Sequence, residues 1–148
     1  MTDPHPDWLL AIVAPGALIA HDDAGMACAL AVAEANVAEG GGPFAAVITD
    51  GDGRVLAAGA NAVVRRSDQT AHAEVLAIGA AGEALGDWRL TGADLYVTLE
   101  PCAMCAGAIQ LGRVRRGIFR PRHPEVGGCG PGGDGADHGR REPPGGVG

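Results

Sequence analysis

Lysine is absent from this chain of 148 residues, so all 11 of its Lys-plus-Arg cations are arginines. The 18 acidic residues outnumber them, and the formal net charge is −7. A surface that binds nucleic acid through charge alone needs clustered cations to neutralise the phosphates. The charge balance therefore argues against a general polyanion-binding protein.

Aromatic side chains and long apolar runs are also scarce. Aromatics make up 3% of the chain, so we expect a core of small and aliphatic side chains. The apolar stretch from Trp8 to Ala20 contains Pro15 and Gly16 and is too short to span a membrane. It also lacks the positive start of a secretion signal. We expect no membrane association and interpret residues 1–21 as an N-terminal extension, either a short helix or loose.

Two short motifs carry the chemistry that is present. His72-Ala73-Glu74 is followed by Pro101-Cys102-Ala103-Met104-Cys105. One His and two Cys can hold a zinc ion through three protein bonds, which leaves a fourth position for water or substrate. Zinc lowers the pKa of bound water from ~15.7 to ~7. Glu74 lies close enough to accept that proton without binding the metal.

Other interpretations of these residues remain open. A C-x-x-C pair alone can be a redox pair or half of a structural zinc knuckle. A structural site would be closed by a fourth ligand, and Glu74 alone could be an acid favoured by a helix start. The two motifs in this order favour the catalytic interpretation. The fourth-ligand candidates, none at finger-like spacing, are Cys28, His123, Cys129 and His138.

Hydrophobic spacing and turn residues predict an alternation of strands and helices. The first helix is expected from Asp22 to Gly40, with Asp22-Asp23 as its N-cap. Its apolar positions are expected to be Met26, Leu30, Ala33 and Val37. Strands are predicted over 44–49, 54–59, 94–99 and 114–120. A polar loop is predicted over 62–69. Two further helices are predicted over 71–85, with Thr70 as N-cap, and over 102–111. This order predicts a mixed sheet covered by helices.

The pattern H-x-E followed by P-C-x-x-C resembles the zinc-dependent cytidine/deoxycytidylate deaminase-like superfamily. The blocks Gly41–Phe44, Val47–Ile48 and Asp68–Glu74 are similar to bacterial guanine deaminases. The blocks Leu95–Glu100 and Cys105–Ile109 look more like tRNA adenosine deaminases.

The resemblance implies a three-layer α/β/α fold with a mixed central sheet. It also implies one zinc ion per chain, held by His72, Cys102 and Cys105, with Glu74 as the catalytic acid and base. Asn61, Phe44 and Ala73 match substrate-binding positions, although Asn61 could instead cap a strand end and Phe44 could be core. Zinc thiolates need reducing conditions, so we expect a cytoplasmic location. A homodimer is also expected.

The expected function is hydrolytic deamination of a purine base or nucleoside, with guanine first. One alternative is a tRNA-specific adenosine deaminase. Another is a zinc-binding fold without catalysis. Five arginines in ten residues support the tRNA alternative, although we prefer to interpret them as the solvated face of a strand and loop; they are Arg113, Arg115, Arg116, Arg120 and Arg122.

The resemblance also predicts where the domain ends. It covers about residues 22–130, and residues 131–148 are interpreted as a disordered tail because the stretch from Gly127 contains ten Gly and three Pro. The family continues with further strand and helix, so the fold is expected to be truncated at its C-terminus. It also tends to have Asp where this chain has His123. A partner subunit could supply the missing wall of the pocket.

Overall fold

The computed structural model describes residues 6–120. The predicted tail over 131–148 and the candidate ligands His123, Cys129 and His138 lie outside the described residues, and the division of the chain at residues 21 and 130 remains a prediction. The helices are α1 (Asp7–Ile12), α2 (Asp22–Ala38), α3 (Val63–Arg66), α4 (Ala73–Leu85) and α5 (Ala103–Leu111). The strands are β1 (Ala45–Thr49), β2 (Val55–Ala60), β3 (Asp94–Val97) and β4 (Arg116–Phe119).

The strands form a mixed sheet in the order β2-β1-β3-β4. β1 pairs antiparallel with both β2 and β3, and β3 pairs parallel with β4. Successive residues of β1 face opposite sides, since Ala45 and Val47 pack in the core on the α1 and α2 side, while Ala46 and Ile48 pack on the α4 side. The predicted mixed sheet between helices is confirmed.

The N-terminal stretch contributes to this core as a short helix, one of the two alternatives expected for it. Leu9 of α1 is fully buried and Val13 nearly so. Within residues 6–120, neither α1 nor any other helix is long and apolar enough to cross a membrane.

The buried face of α2 differs from the predicted one. Val37 is exposed, and Met26 and Leu30 are only partly buried. At Gly25 a Cβ atom would lie 2.5 Å from the Tyr96 ring, so the helix packs too closely for larger side chains at that point. The residues that face the core are Gly25, Ala29, Val32, Ala33 and Asn36. Periodicity of large apolar residues therefore identified the helix but not its inner face.

Three local predictions, about two helix starts and one loop, were wrong. The N-cap of α2 is His21, whose Nδ1 accepts a hydrogen bond from the backbone N–H of Ala24 at 3.2 Å. The expected loop over 62–69 contains α3, which ends where Ser67 adopts a left-handed conformation. Thr70 does not cap α4, because its hydroxyl donates to Asp68 at 2.6 Å. The helix begins after His72 instead.

The start of α4 lies directly on the sheet because β2 has a glycine there. A Cβ atom at Gly59 would collide with the carbonyl oxygen of Ala73 and lie 2.9 Å from the backbone nitrogen of Ala77. Fully buried Ala73, Ala77 and Ala81 form the face of α4 toward this core. Small residues on β2 and α4 thus allow the start of α4 to pack closely against the sheet.

A charge network joins the N-terminus of α2 to the starts of β3 and β4. Arg115 binds Asp94 with two nitrogens, at 3.0 and 2.8 Å. Arg116 bridges Asp94 at 3.0 Å and Asp22 at 2.9 Å, and the Tyr96 hydroxyl donates to Asp22 at 3.0 Å. Burial raises the pKa of Asp94, but hydrogen bonds from Arg116 and Arg115 outweigh it, so the net pKa is lowered.

The described members of the arginine cluster are exposed, as expected for a solvated face, but several of them also have partners. Two of its members are held by acidic partners, and Arg113 stacks on Trp88 with its guanidinium carbon 5.8 Å from the ring centroid. Arg122 lies outside the described residues. The paired arginines stabilise the sheet and contribute little free positive charge.

We expect Asp94→Asn to lower the melting temperature at pH 7 by roughly 5 °C. The folded-state pKa of Asp94 lies below its unfolded value of about 3.9. Its contribution is therefore fully present above pH ~4 and is lost as the pH falls through the folded-state pKa. Thermal unfolding of wild type and variant from pH 7 to 2 measures this difference. Asp87→Asn, which removes a pair with exposed Arg89, is the matched control and should shift the curve far less.

Candidate functional site

The directions of the strands bring the motif residues together. β2 and β3 both run antiparallel to β1, so they point the same way, and α4 and α5, which come after them in the chain, begin at the same end of the sheet. His72 is the N-cap residue of α4, and Cys102 is the N-cap residue of α5. Cys105 lies in the first turn of α5. Two helix starts therefore carry all three predicted ligands.

The geometry of this triad fits a zinc ion. The Nδ1 atom of His72 lies 3.3 Å from the Cys105 sulfur and 3.7 Å from the Cys102 sulfur. All three ligand atoms lie within 4.8 Å of one another, and all three side chains are buried. Tetrahedral Zn–N and Zn–S bonds of about 2.1 and 2.3 Å place ligand atoms roughly 3.5 Å apart. His72, Cys102 and Cys105 thus form a candidate zinc site.

The starts of both helices favour the charge state that a metal ligand needs. Cys102 and Cys105 lie at the start of α5, where the helix dipole creates a positive potential that favours a negatively charged ligand. Cys28 lies on α2 and packs against the core on the α1 and α2 side of the sheet, so it does not belong to the triad. Within residues 6–120, no fourth His or Cys joins these three ligands.

Glu74 occupies the first turn of α4, two residues after His72. Its side chain is 4% exposed. Burial raises the pKa of Glu74, while hydrogen bonds from its own backbone N–H and from the Cys105 thiol oppose that change. The carboxyl therefore holds a proton more readily than an exposed glutamate. This property suits a group that must both accept and donate protons.

A pocket opens beside the triad. Asn61 and Thr98 border it, and each is nearly buried. Asn61 Oδ1 accepts from the backbone N–H of Val63 at 3.2 Å, and Thr98 Oγ1 accepts from Ala45 N–H at 3.2 Å. The residues that line the pocket are Phe44, Asn61, His72, Glu74, Val97, Thr98, Leu99 and Glu100. It combines one aromatic ring and several polar groups around the buried Glu74.

The structure brings most of the predicted site residues together. Phe44 and Asn61 both line the pocket, as does Glu74. Ala73 differs, because its side chain is fully buried in the core on the α4 side. Any contact between Ala73 and a bound molecule would therefore come from its main chain. Thr98 was missed, since a single Thr at a strand end carries no sequence signal for a pocket.

Known proteins match the part of the chain that carries these site residues. Residues 19–120 match the family model described as the cytidine and deoxycytidylate deaminase zinc-binding region. A tRNA-specific adenosine deaminase of Agrobacterium fabrum is 54% identical over 76 residues, which cover 51% of this chain and 50% of that protein. A guanine deaminase of Bacillus subtilis is 44% identical over 86 residues, 58% of this chain and 54% of that protein. The chain thus spans about half the length of these curated relatives.

A solved structure shares the fold. The guanine deaminase from Nitrosomonas europaea is 33% identical to this chain, with a TM-score of 0.72. The match covers 77% of this chain and 66% of that one. The likeness confirms the expected three-layer α/β/α arrangement around a mixed sheet.

Cys105→Ala should abolish stoichiometric zinc binding and lower the melting temperature, because metal binding to the folded state stabilises it. Cys28→Ala is the matched control, since it removes a thiol outside the triad. Metal analysis of protein purified under reducing conditions should give about one zinc per chain for wild type and for the control. Equal zinc contents in both cysteine variants would contradict the assignment of the site.

Proposed function

Because this chain belongs to the family of the cytidine and deoxycytidylate deaminase zinc-binding region, we propose that it is a zinc-dependent hydrolytic deaminase of a purine base or nucleoside. One observation carries the proposal: the buried carboxyl of Glu74 lies beside the His72–Cys102–Cys105 triad, in a pocket bordered by Phe44 and Asn61. Acid–base chemistry, a metal site and a surface for a planar ring thus meet in one place.

Each side chain has a distinct task in this reaction. The chemistry that zinc supplies when bound is acidification of water to a pKa near ~7. Glu74 takes one proton from the attacking water and passes it to the ring nitrogen, and it then takes the proton of the new hydroxyl group and passes it to the departing amine. The ring carbon gains an oxygen, its bond to the exocyclic nitrogen breaks, and ammonia leaves. Burial of Glu74 supports this role, since it raises the pKa of the carboxyl and so makes the carboxylate a stronger base.

Substrate contacts are proposed for the two residues across the pocket. The half-buried ring of Phe44 offers an apolar face for a planar base. Asn61, 8% exposed, offers a side-chain amide for the edge of that base. A site built to hydrogen-bond a substrate rejects analogues that lack the matching groups. Ala73 could add a main-chain contact beside Glu74.

We place a free base or nucleoside, with guanine first, ahead of tRNA. The net charge of −7 supports this order, because phosphate binding needs free cations. Arg115 and Arg116 are already committed to Asp94 and Asp22. The resemblance of the block from Gly41 to Glu74 to guanine deaminases also supports it.

A specific observation favours tRNA adenosine deamination as the second candidate. The Agrobacterium fabrum relative, a tRNA-specific adenosine deaminase, has a higher identity over its matched segment than the Bacillus subtilis guanine deaminase does, 54% against 44%. On tRNA the same Glu74 chemistry would convert adenosine to inosine. The two candidates differ in how strongly the phosphate backbone must be held.

Two properties of the whole protein accompany the proposal. A cytoplasmic location agrees with a site of two thiolates, which must stay reduced. A homodimer agrees with the outer face of α5, where Met104 is 38% exposed and Leu111 is 70% exposed. A second copy covering this face would bury apolar surface beside the metal site.

Glu74→Gln should retain zinc and the fold but reduce turnover by roughly 10²–10⁴-fold, the usual contribution of a positioned acid–base group. Glu83→Gln changes an exposed carboxyl on the same helix and should behave like wild type. Zinc analysis, thermal unfolding and ammonia release are measured for all three proteins. Near-normal turnover in Glu74→Gln would show that another group moves the proton.

A substrate panel separates the candidate functions. We expect ammonia release from guanine and nucleosides to exceed that from an anticodon stem-loop, with little change between 50 and 300 mM salt. A tRNA substrate would instead lose affinity steeply over this range. Salt-sensitive deamination of the stem-loop without ammonia from guanine would establish the second candidate. No ammonia from any substrate, with zinc bound, would indicate a fold without catalysis.

A further inference from the structure

Asn36 is a fully buried polar residue on α2 that the proposed chemistry does not use. Its Nδ2 group donates to two carbonyl oxygens, that of Gly42 at 2.8 Å and that of Asn61 at 2.9 Å. Gly42 precedes Phe44 by two residues, and Asn61 follows β2. The single amide of Asn36 therefore joins the two segments that carry the ring and the amide of the pocket.

The orientation of this amide is fixed by its partners. Carbonyl oxygens only accept hydrogen bonds, so they must face the two N–H bonds of Asn36. On the other side, Arg65 donates from its guanidinium to Asn36 Oδ1 at 2.6 Å, and a guanidinium only donates. Arg65 also reaches the carbonyl of Asn61 at 3.3 Å. The amide cannot flip without losing these bonds.

The backbone around Asn36 is also hydrogen-bonded and closely packed. The N–H of Gly41 donates to the Asn36 carbonyl at 2.8 Å, and the N–H of Asn61 donates to the Phe44 carbonyl at 3.0 Å. A Cβ atom at position 41 would lie 2.5 Å from Asn36 Nδ2, so only glycine fits against the amide. Asn36 thus restrains the backbone of Gly41 and Gly42, which precede Phe44.

We propose that Asn36 is a positioning residue, which fixes the Phe44 segment and the Asn61 segment relative to each other at the edge of the pocket, and that Arg65 locks its amide from the solvent side. Asn36 does not line the pocket, so it acts through the carbonyls of Gly42 and Asn61. The ligands His72, Cys102 and Cys105 lie on other segments. We call the two hydrogen bonds from Asn36 to the carbonyls of Gly42 and Asn61 the tie. The tie is an observation of the structure, and its effect on substrate rests on the proposed function.

The effect should appear in KM more than in kcat. Phe44 and Asn61 are proposed to contact the ring both before and during the reaction, and loss of such uniform binding raises KM. The acid–base group and the metal ligands keep their places, so kcat and zinc content should change little. A residue that only stabilises the fold would produce no such division.

The first experiment compares Asn36→Asp with Val32→Ala in the zinc-loaded full chain. Aspartate keeps the shape of asparagine but presents an acceptor to the two carbonyls. We expect KM for guanine to rise about ten-fold, as for a lost buried hydrogen bond, with kcat within about three-fold. Val32 is fully buried on the same helix, so its truncation reduces stability without touching the tie. Equal KM values in the two variants would overturn the proposal.

A second pair of variants guards against misfolding of Asn36→Asp. Arg65 is exposed, so Arg65→Ala should fold normally, and we expect KM to rise about three-fold as Asn36 loses one partner. Arg66→Ala is the control, because it removes the neighbouring cation of α3. If both arginine variants raise KM equally and only at low salt, the cations act directly on a charged substrate and the tie has no role.

Hydrogen exchange tests the tie without relying on catalysis. In the zinc-loaded protein, Asn36→Asp should accelerate exchange in peptides covering residues 40–44 and 60–66 at least ~10-fold more than Val32→Ala does. If wild type deaminates nothing, the proposed function fails, and exchange alone decides whether the tie exists. Unchanged exchange in these peptides would overturn the tie. Faster exchange with unchanged KM would overturn its positioning role.

Discussion

The direction of two strands is the constraint on which the site depends. Because β2 and β3 both run antiparallel to β1, α4 and α5 must begin at one end of the sheet. Their N-cap residues are His72 and Cys102, which are 30 residues apart in sequence, with His72 Nδ1 3.7 Å from the Cys102 sulfur. The metal site is therefore a consequence of topology, together with the connection through α3 that leads from β2 to His72.

Small side chains allow this topology to close tightly. Gly59 lets α4 rest on β2, and Gly25 lets α2 rest on the ring of Tyr96. A chain in which 3% of the residues are aromatic gains burial through close backbone approach rather than through large side chains. Such packing leaves little room for adjustment, because an added Cβ meets backbone or ring atoms that cannot move aside. The fixed positions of the helix starts follow from the same small side chains.

The sequence predicted the parts of the molecule that depend on local spacing. The order of strands and helices, the triad and the placement of Glu74 beside it all followed from short motifs. The inner face of α2 did not, because glycine and alanine carry little hydrophobic signal. The His21 cap, the binding of Arg116 to Asp22 and the hydrogen bonds of Asn36 to residues 42 and 61 join segments distant in sequence or use unusual residues. Such contacts depend on tertiary geometry and leave no periodic trace.

The bridge from Asp22 to Arg116 has a consequence for the order in which the chain acquires its structure. Its two ends lie 94 positions apart, so it encloses most of the described residues. During synthesis α2 leaves the ribosome long before β4, and contacts over such a distance form late. Until Arg116 emerges, Asp22 and Asp94 lack the guanidinium that bridges them. Completion of this charge network therefore awaits the last described strand.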